Sequence, residues 1–401
     1  MSKNAFIIGA KRTAIGTMGG SLKGVSAVEL GVAAAKAAME HAQITPDQVD
    51  ETIIGQILSA GSGMGPGRQV SVRAGIPVKS PGFSINMLCG SGMKAVMMGA
   101  VDIIASQAEV VLAGGIENMD LAPYMVTKAR YGYRMGHGDI VDHMISEGLT
   151  DVFNQYHMGV TAENLVEKYQ ISRAAQDEFA VKSQQKAKKA QDDGKFADEI
   201  VPFVIKGRKG DTIVDTDEHL KPDATVESLA RLRPAFKKDG SVTAGNASGI
   251  NDGASMTVLI SEQKMRSLGV TPLVRVVSFA QSGVDPSVMG IGPVEAVRLA
   301  LEKASLSLKD MNLMELNEAF AAQSLAVIAD LKAQHGVNDE WIDQRVNVNG
   351  GAIALGHPIG ASGNRIIVTL IHEMKRRKAQ YGLASLCIGG GMGTAIIFEN
   401  V

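Results

Sequence analysis

The sequence predicts an α/β protein whose sheet is covered by helices on both faces. Strand-like and helix-like segments alternate through the first 120 residues and resume near Ser255. The strands among them, such as Glu109-Val-Val-Leu-Ala-Gly-Gly, are continuous apolar runs, as strands buried on both faces require. Glycine is abundant at 45 residues and aromatics are scarce at 4%, which favours tightly turned α/β architecture over a sandwich.

In chain order, Ala5-Phe-Ile-Ile-Gly reads as a strand and residues 27–42 as an alanine-rich helix. Glu51-Thr-Ile-Ile-Gly-Gln-Ile-Leu58 and Ser84–Leu88 read as further strands, the second running up to Cys89. A helix is expected over 91–106, then the apolar strand that opens at Glu109. From about Asp120 to Ala244 the texture turns polar and lysine-rich, with a helix capped by Ser172 and reaching towards Asp192. Asp177 and Glu178 suit its early turns electrostatically. This stretch reads as an insertion carrying binding surface. Alternation resumes at Ser255-Met-Thr-Val-Leu-Ile and continues to the end.

At 401 residues the chain is long enough for about two domain-sized units. A formal net charge of −2 gives no basic field for nucleic acid or an anionic membrane. No apolar stretch approaches the length of a membrane span. Two distant cysteines make no disulfide framework, and the short apolar run before Lys11 is too brief for a signal segment. The expected compartment is the cytoplasm.

Both cysteines sit where an apolar strand breaks into a glycine-rich turn: Asn86-Met-Leu-Cys89-Gly-Ser-Gly and Ser385-Leu-Cys387-Ile-Gly-Gly-Gly. Between them lies a third sharp turn, Leu355-Gly-His357-Pro-Ile-Gly-Ala-Ser-Gly. Two thiols and an imidazole at tight bends suggest acyl chemistry through a thioester. A helix N-terminus lowers a cysteine pKa, and backbone N–H groups at Gly90, Ser91 and Gly92 are placed to stabilise an oxyanion. A buried structural cysteine is the commoner fate of such a residue. Pro358 with glycines at 356 and 360 fixes the backbone around His357, as a positioned base needs, although most single histidines are structural. The triplet after Cys387 is neither a dinucleotide fingerprint nor a P-loop. An oxyanion nest beside a catalytic base is the better reading. Asn317-Glu-Ala-Phe320 reads most simply as a helix start with Asn as cap.

The two core regions echo each other in the order turn, Ser-Gly, helix, strand, Gly-Gly, at Cys89 and again at Ile359. Such successions recur by chance, so this alone does not establish duplication. If the repeat is real, the two turns face each other across a pseudo-dyad.

Taken together these turns resemble the thiolase family. The match runs from Gly9-Ala-Lys-Arg-Thr-Ala-Ile-Gly16 to Gly389-Gly-Gly-Met-Gly393. Between them lie Gly114-Gly-Ile-Glu-Asn-Met119, Tyr156-His-Met-Gly-Val-Thr-Ala-Glu-Asn164, Leu232-Arg-Pro-Ala-Phe236, Asn317-Glu-Ala-Phe320 and Asn349-Gly-Gly-Ala-Ile-Ala-Leu-Gly-His357-Pro. The resemblance implies a duplicated five-layered α-β-α-β-α fold with an inserted loop domain. Residues 1–120 with 245–270 would form one core half, 121–244 the loop domain, and 271–401 the other half.

The resemblance also implies roles. Cys89 would take up the acetyl group, activated by His357, and Cys387 would move the α-proton of a second acetyl-CoA. Asn317, through a water, would join His357 in polarising the enolate oxygen. The N–H groups of Cys89 and Gly389 would hold the acyl carbonyl. Ser248 would meet pantetheine; Ser228 and Lys221 would meet the adenosine portion. The family often has arginine where this chain has Lys221, which offers a point charge instead of a fork. His157 and Met158, with Phe320, would crowd the acyl pocket, as in the short-chain biosynthetic branch. The implied reaction is reversible Claisen condensation of two acetyl-CoA to acetoacetyl-CoA and CoA. It needs no metal and no permanently bound cofactor, and the implied assembly is a homotetramer, a dimer of dimers. The competing readings are a degradative 3-ketoacyl-CoA thiolase, a Cys-His thioester hydrolase, and a CoA-binding relative without catalysis.

Overall fold

The computed structural model describes residues 4–401. Its first half comprises β1 (Ala5–Thr13), α1 (Ala27–His41), β2 (Glu51–Gly55), α2 (Pro66–Arg73), β3 (Gly82–Ile85), α3 (Ser91–Ile104), β4 (Val110–Asn118) and β5 (Asn251–Ser261). The second half comprises β6 (Val274–Gly283), α4 (Gly292–Ala304), β7 (Leu313–Leu316), α5 (Ala321–His335), α6 (Ile359–Arg377), β8 (Tyr381–Ile388) and β9 (Met392–Asn400). The strand order is β7-β8-β9-β6-β1-β5-β4-β2-β3, and among the described residues β6 pairs with β1 at Phe6–Arg275 and Ile7–Val274.

On either side of that short seam the pairing repeats. β5 is antiparallel to β1 and β4, and β2 is parallel to β4. β9 is antiparallel to β6 and β8, and β7 is parallel to β8. Even the bulges correspond, between Ile7 and Gly9 in β1 and between Val276 and Ser278 in β6. The faint sequence echo is therefore a structural repeat.

Three apolar clusters divide the structure into five layers. The first packs α1 and α2 (Ala34, Ala38, Val70) on Leu112, Val258 and Ile260. The second holds α3 and α6 between the two halves, with Met93, Val96, Ile366 and Leu370 against Val111, Leu259, Leu386 and Phe398. The third packs α4 and α5 (Val297, Leu301, Val327, Leu331) on Leu383, Ala395 and Ile397. Val111 faces inward while Val110 and Leu112 face outward, so the apolar run of β4 serves two interfaces. α1 is nucleated by a capping box: the Glu29 N–H donates to Ser26 Oγ, and the Ser26 N–H donates to Glu29 Oε2.

Two expected strands are shorter than the apolar runs suggest. β2 stops at Gly55, because the N–H groups of Ile57 and Leu58 turn to donate to the Glu117 carboxylate. β3 stops at Ile85, and Leu88 takes a left-handed conformation with φ 47°. That bend presents Cys89 one residue before the Gly90 cap of α3.

The segment between β4 and β5 contains short two-stranded ribbons and two longer helices, Met158–Tyr169 and Arg173–Asp192. Ser172 caps the second, accepting from the Ala175 N–H. Asp177 does more than complement the helix end. It is buried, accepting from Arg173 Nε at 2.7 Å and from Asn246 Nδ2 at 2.9 Å. Among the described residues, no helix is long and apolar enough to cross a membrane.

Candidate active site

One cavity of about 320 Å³ collects residues from both halves and from the intervening segment. Cys89, His357, Cys387 and Gly389 line it, as do Ser248, Lys221, His157, Met158 and Phe320. The two thiols, far apart in sequence, open on the same space. Cys387 is pushed well above the ordinary thiol range, by burial first and then by the adjacent Cys89.

Cys89 is only partly buried as a residue, yet its thiol is pushed up to about 11 by burial. Backbone hydrogen bonds from Gly389 and from Cys89 itself pull in the opposite direction without overcoming it. The expectation of a thiol acidified by the α3 N-terminus is thus corrected: desolvation wins. At physiological pH the Cys89 thiol is neutral, and to act as a nucleophile it would need a base.

His357 opens on the same cavity. Its backbone N–H donates to Asn251 Oδ1 at 2.8 Å, and its imidazole is buried. Ser362 has one hydroxyl proton, which goes to the Pro358 carbonyl at 2.9 Å. The 2.6 Å contact between Ser362 Oγ and His357 Nδ1 therefore runs from Nδ1–H to the hydroxyl oxygen. Nε2 is left as the basic nitrogen. Burial, then the Arg365 cation, push the imidazole down to about 3, so it is neutral at physiological pH.

Asn317 does not cap a helix. The next helix begins at Ala321, with Phe320 at the cap position. The Asn317 N–H donates to Ser385 O at 3.0 Å, which sets the residue beside the strand that ends in Cys387. Its side-chain amide is buried, and neither its nitrogen nor its oxygen has a protein partner. Such a group is costly unless it serves water or substrate. Glu318 pins this segment, accepting from Ser183 Oγ at 2.6 Å and Asn347 Nδ2 at 2.9 Å. The Ser248 N–H donates to Ala319 O at 2.9 Å and joins the Ser248 turn to it.

The opposite wall is aromatic. The Gly159 N–H donates to His157 Nδ1 at 3.0 Å, so the imidazole carries its proton on Nε2. The ring stacks on Phe236 at 4.5 Å, and Phe236 meets Phe320 edge-on at 6.1 Å. Lys221 is exposed at the rim. Ser228 does not line the cavity. It is exposed and closes the capping box of the short helix Val226–Ala230.

Comparison with known proteins places this geometry. The thiolase N-terminal domain matches residues 5–263 and the thiolase C-terminal domain residues 270–400. The chain belongs to the thiolase family. This thiolase is 56% identical over 395 residues to the acetyl-CoA acetyltransferase of Cupriavidus necator, covering 98% of each chain. Its identity to the acetyl-CoA acetyltransferase of Shinella zoogloeoides is 51% over 401 residues, covering 100% of both. The crystal structure of the Bacillus anthracis acetyl-CoA acetyltransferase superposes with a TM-score of 0.95 at 46% identity, covering 100% of this chain and 99% of that one. Human mitochondrial 3-ketoacyl-CoA thiolase in complex with CoA superposes with a TM-score of 0.93 at 46% identity, covering 100% and 98%.

Three residues of this thiolase escaped the sequence reading. Ser362 sets the histidine tautomer; its signal was the Ser-Gly pair that echoes Ser91-Gly92. Glu117 is a buried carboxyl in an apolar strand, pushed up to about 7 by burial. It accepts from Ile57, Leu58 and Gly360 N–H groups at 3.1, 3.1 and 2.9 Å, tying the His357 turn to the first half. His219 lines the cavity and carried no motif signal.

Proposed function

We infer that this thiolase is an acetyl-CoA C-acetyltransferase, catalysing reversible condensation of two acetyl-CoA to acetoacetyl-CoA and CoA. The observation that carries the reading is the opening of two thiols and one neutral imidazole on a single cavity. Relatives named acetyl-CoA acetyltransferase over the full chain support it.

In this reading Cys89 Sγ attacks the thioester carbonyl of acetyl-CoA as His357 Nε2 takes its proton. CoA leaves as the thiol, taking that proton from His357, and the acetyl group remains on Cys89. The N–H groups of Cys89 and Gly389, which already face that sulfur, hold the carbonyl oxygen. Cys387 then passes its own proton to the neutral His357 and, as a thiolate, takes an α-proton from a second acetyl-CoA. Its enolate oxygen is held by His357 and by a water on the Asn317 amide. The resulting carbanion attacks acetyl-Cys89, forming the carbon–carbon bond and releasing the Cys89 thiolate, which takes a proton back from His357. Two thiols are needed because one carries the acyl group while the other moves the proton.

The loop segment 121–244 is read as the CoA- and acyl-binding unit between core halves 1–120 with 245–270 and 271–401. Lys221 at the rim suits a phosphate of the nucleotide, with Ser228 further out. Tyr131 and Met135 are almost fully exposed and support assembly through this segment into a homotetramer. Two free thiols fit a reducing cytoplasm.

The packed wall of His157, Met158, Phe236 and Phe320 supports a short acyl chain. A degradative enzyme of broader chain length is the second reading, favoured by the likeness to human 3-ketoacyl-CoA thiolase. Thiolysis of acetoacetyl-CoA should exceed that of a medium-chain 3-ketoacyl-CoA in kcat/KM by at least tenfold, because the wall excludes added methylenes (about 1–3 kcal/mol each). Equal use of both would favour the broader enzyme.

A further inference from the structure

We propose that His219 is a positioning residue for the pantetheine arm of the CoA thioester, meeting an amide of that arm through Nε2. The proposal rests on the acetyl-transfer reading above and names a contact within the same site.

His219 lies in the cavity wall beside Ser248, Gly249 and Ile250. Its place is created by a glycine: a methyl group on Gly249 would lie 2.2 Å from His219 Cε1. The residue is held from behind by an unusually firm frame. Asp217 accepts two hydrogen bonds from the buried Arg12 guanidinium, at 2.7 and 2.9 Å, and one from the Ile15 N–H at 2.8 Å. The Glu218 carboxylate accepts from the Thr17 and Ser21 N–H groups at 3.3 and 3.2 Å. His219 Nδ1 lies 3.3 Å from Thr17 Oγ1. Among the described residues, no protein group bonds Nε2.

An imidazole anchored on one nitrogen and unpartnered on the other, in a substrate cavity, is a preorganised hydrogen-bonding group. Depth and charge select its target. His219 is half-buried, whereas Lys221, two residues on, is exposed at the rim. Burial, then the Lys221 charge, push His219 down to about 4, so it is neutral at working pH. A neutral ring suits an amide N–H or carbonyl, while the rim lysine suits a phosphate. Pantetheine supplies two amides between the thioester and the nucleotide.

The test compares acetyl-CoA with acetyl-pantetheine, which lacks the nucleotide, as donors to Cys89. With His219→Phe, KM should rise roughly three- to tenfold for both donors by the same factor, with kcat within about twofold. His219→Gln, which restores a polar group near the Nε2 position, should recover most of the loss. An unchanged KM for both donors would overturn the proposal, as would a rise confined to acetyl-CoA, which would place the contact on the nucleotide. A collapse of kcat at constant KM would also overturn it. Wild-type protein that never forms acetyl-Cys89 would instead refute the acyl-transfer reading, a result separable from all of these.

Discussion

Gly92 and Gly363 make room for each other's helices in a reciprocal way. A methyl group on Gly92 would lie 2.8 Å from the Asn364 nitrogen, and one on Gly363 would lie 2.5 Å from the Met93 nitrogen. Each glycine is thus blocked by the backbone nitrogen that follows the other. This contact, at the start of α3 and α6, lets the Cys89 turn and the His357 turn reach one cavity. Gly92→Ala should therefore cost about 1–3 kcal/mol of overpacking, read as a lower denaturant midpoint with acetylation slowed in parallel. An unchanged midpoint would mean that the helices do not meet this closely.

Ser362 should matter to catalysis although it touches no substrate. Ser362→Ala leaves the His357 Nδ1–H without its acceptor and releases the tautomer that keeps Nε2 basic. Acetylation should slow about 10- to 100-fold, within the range that a positioned base contributes. Ser362→Thr, which keeps the hydroxyl, should recover part of the rate if the added methyl is accommodated. Full activity in the alanine variant would remove Ser362 from the mechanism.

Free-enzyme alkylation gives a pH test of the neutral thiol. With Cys89 pushed up to about 11, the thiolate is a minor species at pH 7 and grows about tenfold per pH unit. The iodoacetamide rate at Cys89 should therefore climb steadily from pH 7 to pH 10. A plateau reached below pH 8 would reveal a preformed thiolate–imidazolium pair.

The alternating pattern and the glycine-bounded turns made the layered α/β core and the thiols and imidazole that share the cavity readable from sequence, because both depend on local periodicity and turn chemistry. Asn317 was misread in isolation, since a helix cap and a buried polar hook share the same residue type. The Cys89 thiol was misjudged because a helix N-terminus is local while desolvation depends on the whole cavity. Glu117, Ser362 and His219 were missed for a related reason. Their partners, Gly360, His357 and Thr17, are set by tertiary packing or by a single turn that no periodicity reports.

Mass spectrometry of Cys387→Ala after incubation with acetyl-CoA tests most directly whether the two thiols divide the labour within one pocket. Cys89 should carry one acetyl group while no acetoacetyl-CoA accumulates, and Cys89→Ser should carry none. Normal condensation by Cys387→Ala, or acetylation that persists without Cys89, would contradict that division.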